Sequence, residues 1–150
     1  MIELLSCLLF VVAPLGLFIH ELGHTIVGLW SGAERSSLSL GIGPTLFKCK
    51  IKRLTVQLHC IFFIGGYSYN EKEVNFTPKQ QAMISLGGPL SNAICAAILY
   101  MSDLPQQGQV LQLFYLFNLY LALVNMIPFR LKGRESDGCR FLRGLTKITG

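Results

Sequence analysis

From Leu4 to Trp30 the chain is almost entirely apolar, yet the run contains His20-Glu21-Leu22-Gly23-His24. About 20 mostly apolar residues suffice for a helix to cross a bilayer. The segment has no basic leader and no small-residue cleavage site, so it reads as a retained transmembrane helix rather than a signal peptide. A carboxylate at membrane depth is disfavoured by about 2.5–3.5 kcal/mol and calls for a partner. On a helix His20 and His24, four residues apart, share one face. Two imidazoles so placed can bind one zinc ion, with Glu21 beside it as a general base. In a soluble helix the same pattern is often a chance surface match. Inside an apolar helix the metal is the better reading.

Two further stretches are long enough to span, about Ala82 to Met101 and about Val110 to Phe129. With 51% hydrophobic and only 14% charged residues, the composition is that of a membrane protein. At 150 residues the chain reads as one domain. The expected fold is an α-helical integral membrane protein of three transmembrane helices, with a small β-sheet between the first and second.

All 13 Lys and Arg residues fall in two segments. Arg35, Lys48, Lys50, Lys52, Arg53, Lys72 and Lys79 lie between the first two spans, and Arg130, Lys132, Arg134, Arg140, Arg143 and Lys147 follow the third. The positive-inside rule then puts the N-terminus outside, with the sheet and the C-terminal segment 130–150 in the cytoplasm. The formal charge of +5 favours anionic lipid headgroups. No basic face is interleaved with aromatics, which argues against nucleic acid as a partner. Cys7, Cys49, Cys60, Cys95 and Cys139 are odd in number and include no CxxC, so free thiols are expected.

Residues 37–67 read as three or four short strands, with a turn at Gly41-Ile42-Gly43-Pro44 and an end at Gly65-Gly66. Pro14 is expected to kink the first helix, and Thr77-Pro78 to start the second. Gly16, Gly23 and Gly28 allow close approach of another element. A hydrolytic zinc site keeps three protein ligands. Asp137, Glu135 and His59 are the candidates for the third, since Asp103 falls on the opposite side of the membrane. Asn118 lies in no motif and reads as helix packing, worth about 0.6–2 kcal/mol in membranes.

Four motifs in order now give a specific resemblance. His20-Glu21-Leu22-Gly23-His24 is followed by the sheet motifs Gly41-Ile42-Gly43-Pro44 and Ile64-Gly65-Gly66-Tyr67, then by Gly87-Gly88-Pro89-Leu90-Ser91-Asn92, then by Asn125-Met126-Ile127-Pro128 with Asp137-Gly138. The chain resembles the site-2 protease family of intramembrane zinc metalloproteases over nearly its whole length. The resemblance implies a three-helix catalytic core without a PDZ or nucleotide-binding domain. It implies Zn2+ held by His20, His24 and Asp137, with Glu21 activating water, and it places Asn92 and Asn125 near the substrate or its oxyanion. The substrate would be a membrane-spanning or signal-like peptide, held by strand addition to the sheet edge. A second copy or an accessory membrane protein would cover polar surface. One departure stands out: the aspartate follows Asn125 by 12 residues rather than the family's usual eight or so, as though Lys132-Gly133-Arg134-Glu135 were inserted. A catalytically inactive homologue that binds peptides or scaffolds a complex is the alternative function. Metal transport fits less well, because one histidine pair offers no series of sites.

Overall fold

The computed structural model describes residues 2–131 and 133–149; Met1, Lys132 and Gly150 lie outside the described residues, as do the side chains of 148 and 149. The first helix, α1, runs unbroken over Ile2–Trp30. Between Leu8 and Val12 it widens into a π-turn, in which the Ala13 N–H reaches the Leu8 carbonyl. Pro14 has no N–H to donate, and its ring crowds the carbonyl four residues earlier. The irregularity expected at Pro14 therefore takes the form of a π-turn just ahead of it.

After α1 come two long strands, β1 (Arg35–Ile51) and β2 (Leu54–Glu71), which pair antiparallel. The sequence suggested three or four short strands. Instead, each strand is continuous but pairs in two sections. Residues 36–40 have partners on both sides: 66–70 antiparallel, and 54–58 with residue numbers rising together. Residues 47–51 then pair back onto 54–58. The bends fall at Gly41, Gly43 and Gly65, all with positive φ. Glycine holds that geometry without strain, so the chain bends without leaving the sheet.

The sheet lies alongside α1 rather than beyond its end. Phe62 and Phe63 pack on Phe10, Gly66 faces Glu21, and Asn70 packs on Gly28 and donates to the His24 carbonyl at 3.3 Å. The lengths agree. Phe10 to Gly28 spans about 27 Å of helix and Phe62 to Asn70 about 26 Å of strand. The charges of the sheet are sorted along this axis. Nothing charged lies between Arg35 and Lys48 or between Arg53 and Glu71, so the end near Phe10 is uncharged. Ile42, Leu46, Phe47, Ile61 and Ile64 are exposed there.

The second helix, α2 (Pro78–Met101), starts one turn earlier than the apolar pattern indicates, because Thr77 and Gln80 cap it reciprocally. It crosses α1 at Gly23 and Gly87, where a Cβ on Gly87 would stand 2.6 Å from the Gly23 carbonyl oxygen. A 3-10 turn at Leu104–Gln106 leads to α3 (Gln109–Met126). That helix stops three residues short of the expected Phe129. Ile127 precedes Pro128, and its ψ of 124° is the extended value such a position prefers. A short hairpin pairs β3 (Arg130–Leu131) with β4 (Arg134–Glu135), and a final helix, α4 (Asp137–Thr149), packs back on α2 at Gly144 against Ala82. All five cysteines are free thiols, as expected.

Candidate metal centre

The fold brings three donors to one point. His20 Nε2 lies 3.2 Å from His24 Nε2 and 3.0 Å from Asp137 Oδ2, and His24 Nε2 lies 3.3 Å from that same oxygen. Donors about 2.0–2.1 Å from a tetrahedral zinc ion stand about 3.3–3.4 Å apart. The triangle therefore fits zinc with little adjustment. All three residues are buried. Burial raises the pKa of the Asp137 carboxyl, but hydrogen bonds to His20 and His24 outweigh it and hold the group well below the usual carboxylate range. It is thus ionised at neutral pH, as a ligand needs to be.

Each histidine is oriented from behind. His20 Nδ1 lies 2.6 Å from Asn92 Oδ1, and His24 Nδ1 lies 2.7 Å from the Ile84 carbonyl. With Nδ1 engaged in both, Nε2 is the atom each ring would present to a metal in place of its contact with Asp137. The Asn92 amide nitrogen donates to the Gly16 carbonyl at 3.1 Å and to Asn118 Oδ1 at 2.8 Å. Asn92 and Asn118 are both fully buried, at 0% exposure. The structure thus places Asn92 behind His20, with both N–H groups engaged, and not on the cleft. Asn118, read from sequence as packing alone, holds Asn92. Its signal was available: Asn118 and Asn125 are seven residues apart, two turns on the same face of an apolar helix.

Gly88 lies in the motif over 87–92, against the two histidine rings. A Cβ on Gly88 would stand 2.8 Å from His20 Nε2 and closer still to His24 Nε2, in the space a shared metal needs. The third donor arrives through Ser136. Its hydroxyl donates to the Ile127 carbonyl at 2.7 Å and accepts from the N–H groups of Phe129 and Cys139. The segment ending α3 is thereby tied to the start of α4. Gly138 packs directly on the Met126 carbonyl, and Asp137-Gly138 forms the first turn of a docked helix. Arg134 and Glu135, two of the extra residues, lie in the β3–β4 hairpin, and Asp137 still reaches the histidines. Glu135 does not. Its oxygens pair with Arg130 at 2.9 Å and Arg143 at 2.6 Å. His59 is also elsewhere, bonded to the Gly43 carbonyl on the sheet.

A cleft of about 340 Å³ opens over the three donors, lined also by Glu21, Gly66, Ser68 and Asn125. Glu21 is 8% exposed; its carbonyl accepts from the Thr25 hydroxyl at 2.8 Å, while its carboxylate has no hydrogen-bond partner among the described residues. A Cβ on Gly66 would stand 2.9 Å from Glu21 Oε1, so the strand passes close over the carboxylate.

Comparison with known proteins now decides the family. Residues 8–109 match the model of peptidase family M50. The chain belongs to that family. This agrees with the site-2 protease resemblance carried by its motifs. Three relatives are each provisionally named as zinc metalloproteases. The Synechocystis protein is 32% identical over 137 residues, covering 87% of this chain and 29% of its own length. A Chlamydia pneumoniae protein is 30% identical over 128 residues, covering 65% of the chain and 20% of itself. One from Rhizobium meliloti is 36% identical over 63 residues, covering 41% and 17%. The chain therefore spans less than a third of the length of these relatives. Family and donor set together make zinc the metal of the M50 site.

Proposed function

We propose that this M50 chain is the catalytic core of an intramembrane zinc endopeptidase that cuts membrane-spanning or signal-like peptides. The observation that carries the reading is Glu21, whose carboxylate lines the cleft that holds the three donors and has no hydrogen-bond partner among the described residues. Zinc, when bound, supplies a Lewis acid that activates water and polarises a carbonyl. Glu21 takes the proton from the attacking water and returns it to the leaving amine. Asn125 lines the cleft with its amide nitrogen donating to the Leu121 carbonyl at 2.9 Å, and the second N–H of that amide serves a developing oxyanion. Asn92 acts through His20, fixing the ring and its tautomer.

Three helices are long and apolar enough to cross a membrane. With α1 across the bilayer, the uncharged end of the sheet lies at membrane depth, and the basic end, from Lys48 to Arg53, lies at the cytoplasmic face. Strand Gly66–Asn70 pairs on one side with 36–40 and has no partner on the other among the described residues. An unwound substrate adds to that free edge, which passes over Glu21.

Glu21→Gln tests the reading. The variant is expected to keep its zinc and to lose cleavage of a membrane-peptide substrate by about 10²–10⁴-fold, the usual contribution of a general base. Unchanged cleavage would remove Glu21 from the mechanism. A wild-type protein that binds zinc and peptide but never cuts would favour the inactive peptide-binding homologue.

A further inference from the structure

Beside the metal cleft runs a second, larger groove of about 690 Å³. The free edge strand forms one wall, from Tyr67 to Asn70. The other wall carries Arg130, Arg134, Arg140 and Arg143. The two cavities are continuous, sharing Tyr67, Ser68, Arg134, Glu135 and Arg140. Glu135 is the one carboxylate lining the groove, and it is taken up by Arg130 and Arg143. Arg134 and Arg140 have no ion-pair partner among the described residues. Arg140 lies one helical turn beyond Asp137, on the side of α4 that carries the metal ligand. Arg134 sits in the hairpin that loops out of the chain just before Asp137.

We infer that Arg134 and Arg140 form a carboxylate subsite that selects peptides carrying an acidic side chain or a terminal carboxylate beside the scissile bond. The inference rests on the peptidase reading above and names its substrate class. A guanidinium holds a carboxylate through charge-assisted, often bidentate hydrogen bonds. The position follows from the strand. Gly66 marks the reacting position beside Glu21, and the wall common to both cavities, Tyr67–Ser68, lies about 3–7 Å further along at ~3.3 Å per residue. The carboxylate thus falls within about three residues of the cut. A strand edge on the facing wall suits a peptide better than a lipid headgroup, which has no backbone to pair with it.

The test uses the zinc-loaded Glu21→Gln protein in neutral-lipid nanodiscs, so that binding is read without cleavage. Short fluorescent peptides carry Asp near the centre, Asn at the same place, or Asn with an amidated C-terminus. The Asp peptide is expected to bind about tenfold tighter than its amidated Asn counterpart. The free-terminus Asn peptide shows whether a terminal carboxylate serves as well as a side chain. Adding Arg134→Gln and Arg140→Gln closes the gap while zinc content stays level, and added salt narrows it. Equal binding of all three peptides, or a gap that survives loss of both arginines, overturns the subsite. So does a double variant that keeps the peptide gap and differs only in a parallel set of nanodiscs carrying anionic lipid, which would identify a headgroup phosphate as the ligand. Selective binding without cleavage by the Glu21 protein would overturn the peptidase reading and leave the subsite standing.

Discussion

On the helical side of the cleft, the polar groups around the metal donors have fixed partners. On the sheet side, strand Gly66–Asn70 is paired along one edge only. His20 is held through Asn92 and Asn118, His24 by Ile84, and Asp137 by the Ser136 clamp. Glu21, Arg134 and Arg140, which face the open space, have no such partners among the described residues. A metal tolerates little error, so the side chains that hold its donors are over-determined. A peptide has to enter and leave, so the strand edge, and the helix and hairpin side chains that face the open space, keep unsatisfied hydrogen-bonding capacity.

The contrast can be broken most severely at the ligands themselves. His20→Ala and Asp137→Asn should take purified protein from stoichiometric zinc to near none by elemental analysis, whereas Glu135→Gln should keep its metal. Zinc lost with Glu135→Gln and kept with Asp137→Asn would reverse the ligand assignment. Gly88→Ala comes next. Its methyl group would enter the space between the histidine nitrogens, and overpacking typically costs about 1–3 kcal/mol. Zinc should be lost while circular dichroism still reports the helices; full zinc loading would show that α2 can move away.

Behind the ligands the effects should be graded. Asn92→Ala is expected to weaken zinc by about 10–100-fold, as loss of a group orienting a ligand usually does. Asn118→Ala, one bond further away, should weaken it less, and competition with a chelator measures both. Equal effects would mean that Asn118 does more than steady Asn92. The smallest effect on metal belongs to the sheet. Because consecutive strand N–H groups point in opposite directions, Tyr67→Pro and Ser68→Pro between them remove one N–H from the free edge. At about 0.5–1.5 kcal/mol per hydrogen bond, cleavage should fall by up to about tenfold with zinc unchanged. Cleavage that survives both prolines would rule out strand addition.

Local pattern alone was enough for much of this molecule. Four-residue spacing put His20 and His24 on one face, and apolar runs located three helices to within a turn. Thr77-Pro78 marked the start of α2 and Gly41 and Gly43 a bend of the sheet, whereas Gly65-Gly66, expected to end the strands, is a bend within β2, which runs on to Glu71. Each of these follows from short-range geometry, which a linear pattern records directly. The helix at Asp137–Thr149 was missed because only some of its residues are apolar, although Phe141, Leu142 and Leu145 already hinted at helical spacing. The tertiary structure decided what depends on distant residues meeting. It brought Asp137, and not Glu135 or His59, beside the two histidines, set Asn92 behind His20, and laid the sheet along α1. It also left Arg134 and Arg140 on the groove without an ion-pair partner among the described residues. Those outcomes turn on contacts between residues as far apart as 117 positions, such as His20 with Asp137. No local spacing encodes where such residues meet; the packing of glycine against helix and of strand along helix does.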